Sequence, residues 1–306
     1  MSKNAYIGVD GIARKVKKMY IGVDGVARKV KKAYIGVDGV ARLFYSADAF
    51  AYTGTFTISQ ITKSGVLYNL YTLKGAGTLT LAEDAQYWMC GGGGGGVSTT
   101  TSSSYGGGGA GGGFVKSGNL SAGSYVVAIG SGGSASVNGG TTSIGALTAA
   151  GGNTGATGYS VNKGGSGGSG GGACDRTTVG SGAGTSTYPF SDTTNFKAHS
   201  AGGGAGSGRR DSYTHTGGAG GSNGSAGIQG STTGLNYSDG GAGGSYGGGA
   251  GGRVATNVSP FVVNNGSSAT FYGSGGGGGA FLESHTTYTA TGGKGYQGVA
   301  YILIPA

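Results

Sequence analysis

Two segments of this 306-residue chain gather the side chains best able to do chemistry. Tyr188, Pro189, Phe190, Phe196 and His199 lie in the first, and Arg209, Arg210, Tyr213 and His215 in the second. The chemistry such a set suits is recognition. Aromatic faces pack against sugar rings and supply contact area at low entropic cost, and cationic groups beside them add polarity. Tyr105 and Tyr237 are secondary candidates of the same kind. Residues 202–208, mostly glycine, separate the two segments. At about 3.1 Å per residue they span roughly 22 Å if extended. They either form one rod, sending the segments out at opposite ends, or turn and bring both to one end. The concentration of charge around them favours the shared end. A structural alternative stands beside the binding one: the aromatics pack against one another and seal an edge.

Catalytic patterns are missing from the same residues. His199, His215 and His285 have no Glu-x-x-His or Cys-x-x-Cys partners, so no metal site is expected. Asp175, Asp192, Asp211, Asp239 and Glu283 are too dispersed to nominate a carboxylate pair for glycoside hydrolysis. G-x-G-x-x-G matches arise by chance in so glycine-rich a chain and lack a βαβ context. Cys90 and Cys174 make neither a disulfide framework nor a metal spacing, and each reads as an unpaired thiol. The expectation is a binding protein with no catalytic residues and no cofactor.

What must position these residues is unusual. Glycine supplies 78 residues, several-fold above the usual ~7%, in blocks at 91–96, 106–109, 164–171 and 275–279. Such a chain is disordered unless something holds it, because glycine loses the most backbone entropy on folding. Collagen is excluded, since no Gly-X-Y register persists and only three prolines occur. A Gly/Ser linker fits poorly, because 19 Tyr and 9 Phe are interleaved with the glycines. Three-residue-per-turn extended helices can lie side by side where side chains are absent, each N–H finding a carbonyl on a neighbour. Interior glycines such as Gly167 and Gly168 would then leave no room for a β-carbon.

Ordinary strands bracket the glycine region. Alternating or apolar runs at 56–61, 66–73, 78–81, 85–90 and 298–305 read as strands, with 125–129 and 143–150 contributing more. The fold class expected is all-β and irregular: β-sandwich elements with packed polyglycine II-type helices, preceded by three short β-hairpin repeats. Residues 1–45 form the repeats, 46–90 a strand region, and 91–306 the glycine slab with loop insertions and a closing strand. No apolar run of 18 residues exists, so no membrane span is expected, and 1–11 hold no apolar run of signal-peptide length.

The head repeats every 14 residues: Tyr-Ile-Gly-Val-Asp-Gly-Ile/Val-Ala-Arg begins at Tyr6, Tyr20 and Tyr34 and ends at Arg14, Arg28 and Arg42. Asp-Gly between β-branched and aromatic runs is a hairpin signal. Ten Lys/Arg against three Asp make 1–44 strongly basic, while the remainder is nearly balanced. A nucleic-acid patch is one reading. A solvated strand face, lysines outward and valines inward, is favoured, because no stacking platform accompanies the charge. One hairpin is marginal alone, so the three support one another or dock on a partner.

Two sets of motifs resemble known proteins. Tyr87-Trp-Met-Cys90 running into six glycines, then 112–115, 120–130, 139–144, 149–152 and 298–304, resemble the glycine-rich domain of bacteriophage and prophage tail-fibre proteins. The 14-residue head resembles repeats of tail-associated proteins from phages of Gram-positive bacteria. The resemblance implies a virion tail component, assembled in the host cytoplasm, that contacts a glycan or protein receptor on the bacterial surface. It also implies that 1–45, through Tyr6, Tyr20, Tyr34, Arg14, Arg28 and Arg42, attach to other tail or baseplate proteins. A homo-oligomer such as a trimer remains open. A purely structural tail component is the alternative, and a polysaccharide depolymerase trails both.

Overall fold

The computed structural model describes residues 6–9, 12–16, 19–30, 32–37, 40–46, 49–100, 106–156, 164–174, 179–180, 187–210, 213–215, 219–221, 237–238, 240–255, 262–283 and 287–306. Tyr105, His285 and the turns at 10–11 and 38–39 lie outside them. The architecture is all-β, with strands and extended rods throughout and a single 3-10 turn, Pro189–Ser191, among the described residues.

A β-sandwich forms where the sequence alternates. One antiparallel sheet has the order Leu147–Ala149, Thr142–Ile144, Gly123–Ala128, Gly77–Leu81, Phe50–Tyr52. The other runs Val115–Leu120, Ala85–Cys90, Val299–Pro305, Val66–Leu73, Phe56–Lys63. Period-two alternation sends Ala85, Tyr87 and Met89, with Ala300, Ile302 and Ile304, into the space between the sheets. There they meet Leu79, Leu81, Val127 and Ile144 of the first sheet. The complementary set, Trp88, Cys90, Val299, Tyr301 and Leu303, faces the other way and is also buried. That explains the unbroken apolar run at 299–304: a strand covered on both faces needs apolar residues at every position.

Past Cys90 the hydrogen-bond ladder continues with a new period. The N–H groups of Gly91, Gly94 and Val97 donate to the carbonyls of Phe114, Gly111 and Gly108, each at 3.0 Å. Those of Gly92 and Gly95 donate to Gly140 and Val137, at 2.9 and 2.8 Å. Those of Gly93, Gly96 and Thr99 donate to Tyr296, Gly293 and Ala290, at 2.9, 2.8 and 2.9 Å. Each neighbour is therefore met at every third residue, which is the period of a polyproline II-type rod. The carbonyls are used in turn: Gly92, Gly93, Gly94, Gly96 and Val97 accept from Gly152, Gly133, Gly276, Ser136 and Gly279. Rod 91–97 is thus ringed by other rods, with no solvent left to satisfy its backbone.

The rod at 274–281 repeats the pattern. Gly275, Gly278 and Phe281 donate to Ala201, Gly204 and Ser207, while Gly276 and Gly279 donate to Gly94 and Val97. Glycine is required here by close approach. A Cβ on Gly93 would fall on the Ser274 carbonyl, one on Gly96 on that of Gly277, and one on Gly167 on that of Gly112.

Each head repeat folds as a separate antiparallel hairpin: Tyr6–Val9 with Ile12–Lys15, Tyr20–Val23 with Val26–Lys29, and Lys32–Val37 with Val40–Ser46. The second turn places Asp24 and Gly25 at φ 51° and 75°, as an Asp-Gly hairpin turn requires. Register puts Ile21 beside Arg28 and Val23 beside Val26 on one face. The valines of the basic runs, Val16 and Val30, are half-buried, whereas the strand residues Ile21 and Val26 are 57% and 58% exposed. Among the described residues the hairpins form three separate two-stranded sheets, so they do not pair strands with one another.

Candidate functional site

Residues 187–200 fold back across the outer face of the second sheet instead of projecting from the slab. Their aromatic rings close over the strand that the sandwich leaves covered on only one side. Phe196 sits 5.6 Å from Tyr301, Phe190 6.1 Å from Phe196, and the Lys63 ammonium 5.3 Å over Phe190. His199 lies deepest, 1% exposed, with Trp88 at 5.1 Å and Phe271 at 4.8 Å in edge-on geometry.

The hydrogen bonds of His199 define its tautomer. Nδ1 lies 2.7 Å from the Lys197 carbonyl, which can only accept, so Nδ1 carries the proton. Nε2 then accepts from the Tyr301 hydroxyl at 2.9 Å. Burial lowers the imidazole pKa to about 4, with the Lys197 carbonyl opposing it, and pushes the Tyr301 phenol well above its usual range. Cys90 beneath them is a free buried thiol, its pKa pushed up to about 12 by desolvation. It is therefore not bonded to Cys174, which lies in strand Ala173–Cys174. These titratable groups are sealed and neutral, the arrangement of a structural cluster.

At the margin of this covered face lies an open cleft of about 490 Å³. Trp88, Val115 and Ser117 of the sheet form one side, Thr187, Tyr188, Ser191 and Thr193 the other, and Gly168 of a rod closes the end. Strand Val115–Leu120 is the sheet's edge, so the cleft opens to solvent. Backbone geometry shapes the opposite rim. Phe190 and Ser191 both take left-handed φ of 56°, which costs a non-glycine residue of order 1–2 kcal/mol. Asp192 stabilises the turn that follows: its carboxylate accepts from the Thr194 N–H at 2.9 Å and the Asn195 amide at 2.8 Å. Those bonds, the Asn195 side chain first, hold its pKa below the usual carboxylate range.

The sequence-selected residues are divided among different places. Tyr188 lines the cleft, while Phe190 and Phe196 are half-buried and His199 is core. The stretch between the two segments is a rod: Gly203 and Gly206 donate to Ala110 and Gly107, and Gly204 and Ser207 to Gly249 and Gly252. The segments therefore leave at opposite ends, and the shared-end arrangement is replaced. Arg209 and Arg210 lie in strand Gly208–Arg210, paired with Tyr213–His215 on one side and Phe281–Glu283 on the other. Tyr237 begins the short strand Tyr237–Ser238. In the head, Tyr20 is 54% exposed, Tyr34 and Arg28 are exposed too, and Tyr6, Arg14 and Arg42 occupy the register positions of strands.

Sequence reasoning did not single out Trp88, Ser117, Thr187, Ser191 or Thr193 for the cleft. Alternation in 85–90 could have flagged Trp88, which falls on the face opposite Tyr87 and Met89. Among the described residues no three His, Cys, Asp or Glu side chains gather as a metal site. No described helix is long and apolar enough to cross a membrane.

No curated protein matches the chain. A family model described as a glycine-rich domain matches residues 72–304, from the end of strand Val66–Leu73, through the described rods, to the closing strand. That span includes the threefold backbone lattice and most of the strands that anchor it, and on this match the chain belongs to the glycine-rich domain family.

Proposed function

We propose that this chain is a bacteriophage tail-fibre or tail-tip adhesin, carried in the virion tail, that binds a receptor on the bacterial surface. The observation that carries the reading is the rod lattice. Its interior is mostly glycine backbone bonded rod to rod, with small buried side chains such as Ala110, Ala205 and Ser274, which suits the rods to holding the segments that connect them. Segments held on a rigid scaffold are where binding function concentrates. The head suits attachment to neighbouring tail or baseplate proteins. The second hairpin exposes apolar and basic side chains on the same face, Ile21 and Arg28 among them, and no strand of the slab pairs with the hairpins among the described residues.

The test uses the full chain, fluorescently labelled, on a panel of bacterial cells. Saturable binding to a subset of strains is the expected result. A chain lacking 1–45 should keep that binding and fail to enter particles. Absence of cell binding, with the chain located between two other tail proteins, would make it a spacer instead. Soluble saccharide released from purified cell wall would make it a depolymerase.

A further inference from the structure

The open cleft between the edge of the second sheet and residues 187–193 has the chemistry of a sugar site. We propose that it binds a neutral saccharide, one unit of a surface glycan. The proposal rests on the adhesin reading for the source of the sugar, and on the cleft alone for its binding.

The lining decides the ligand class. The lining combines four hydroxyl-bearing residues, Ser117, Thr187, Ser191 and Thr193, with two aromatic ones, Trp88 and Tyr188, one on each side. Among the described residues no Lys, Arg, His, Asp or Glu contributes to it. An anionic or cationic ligand would be desolvated there without a counter-charge, which is costly. A neutral sugar matches both halves of the lining: its hydroxyls donate to and accept from Ser and Thr, and its C–H face packs on an aromatic ring. Asp192, between the lining residues Ser191 and Thr193, is occupied by Thr194 and Asn195 and braces the rim. A volume of about 490 Å³ lies within the ~300–1,000 Å³ of small-molecule sites.

Preorganisation points the same way. The rim contains two successive left-handed non-glycine residues, Phe190 and Ser191, which persist only where packing over-determines them. Phe190 is held by Phe196 and by the Lys63 ammonium, and Lys63 is itself fixed by donating to the Gln86 side chain at 3.1 Å. On the opposite wall Ser117 stands directly across from Trp88 in the sheet register. Both walls are therefore set before any ligand arrives, which lowers the ordering cost of binding.

Trp88 is the chain's single tryptophan, so its emission reports on the cleft floor without interference. The experiment titrates the full chain with glucose, galactose and N-acetylglucosamine, with glucuronate as the anionic comparison. At least one neutral sugar should produce a saturable change, and glucuronate none. Tyr188→Ala removes the packing ring. Ser117→Phe fills the cleft from an exposed edge-strand position that tolerates an aromatic residue, and so keeps the test valid should Tyr188→Ala unfold. Each should weaken binding at least tenfold with unchanged melting. No saturable change with any neutral sugar, equal binding of glucuronate, or unaltered binding by Ser117→Phe would overturn the proposal. Cell binding read in parallel separates the two claims. Sugar binding without cell binding removes the adhesin and leaves the cleft. Cell binding that Ser117→Phe leaves intact, with no sugar response, removes the cleft and leaves the adhesin.

Discussion

Replacing Gly96 by alanine tests the rod lattice at its centre. The added Cβ falls on the carbonyl of Gly277 in the adjacent rod. To reach the ~3.3 Å of a close C···O contact, that rod must retreat by roughly 1 Å or more. Two hydrogen bonds hold the same pair of rods: Gly276 N–H to Gly94 O at 3.0 Å, and Gly279 N–H to Val97 O at 2.9 Å. After such a retreat both lie near ~4 Å, beyond bonding reach. Each buried hydrogen bond broken without replacement costs about 1–3 kcal/mol, so the loss is about 2–6 kcal/mol. Reduced freedom of the unfolded chain returns only about 0.5–1 kcal/mol. Against a total stability of about 5–15 kcal/mol this is a large fraction, and the melting temperature should drop by roughly 5–20 °C. Two further substitutions complete a graded series. At Gly94 the Cβ lies 2.7 Å from the Asn153 carbonyl, so the loss should be smaller. At Gly123 its nearest contacts are with the Tyr125 side chain, at 3.4 Å and beyond, so the change should be near zero. Urea melts of the three variants give the ranking. Gly96→Ala within 1 kcal/mol of the parent, or no more damaging than Gly123→Ala, would refute close rod packing.

Two other perturbations address the covered cluster. His199 has a folded pKa lowered from 6.5 to about 4, so between those values the unfolded chain binds a proton that the folded chain does not. Stability should rise with pH through that window and fall by up to about 3 kcal/mol as pH drops from 6.5 to 4. Urea melts at pH 7 and pH 4.5 read it, and His199→Gln should flatten the slope; an unchanged slope in that variant would remove His199 as its cause. Cys90, with a pKa near 12, has about one thiolate in ten thousand at pH 8, so in a Cys174→Ser background iodoacetamide should modify it only after denaturation. Prompt modification of the native chain, read by mass spectrometry, would contradict its burial.

Much of the fold was legible in the sequence, and the reason is local. Runs such as 56–61, 66–73 and 85–90 carry their own period, and the strands Phe56–Lys63, Val66–Leu73 and Ala85–Cys90 follow it. The rods were legible because few ordered structures accommodate six successive glycines. Their partners were not. Gly94 bonds to Gly111 and Gly276, and nothing near Gly94 in sequence distinguishes those from other glycines. The site was harder still. His199 and Tyr213 look alike as exposed-loop candidates, yet His199 is buried by Trp88, Phe271, Tyr272 and Tyr301, which come from distant parts of the chain. Whether 202–208 form a rod or a turn is not legible either, because their length permits both forms, and only their bonds to 107, 110, 249 and 252 decide for the rod.

The position of strand Val299–Pro305 constrains the order in which this protein is made. It lies between Ala85–Cys90 and Val66–Leu73 and pairs with both, although the ribosome produces it some two hundred residues after them. Until it emerges, the two earlier strands have no common neighbour. Rod 91–97 likewise waits for 274–279 and 290–296 to take up its remaining backbone groups. The nascent chain must therefore stay open through most of its synthesis, with apolar strand edges unpaired, and close late through contacts of very long sequence separation. Folding of this kind is slow and exposed to aggregation while it lasts. A ribosome stalled anywhere between 100 and 270 would carry a chain whose sandwich cannot close.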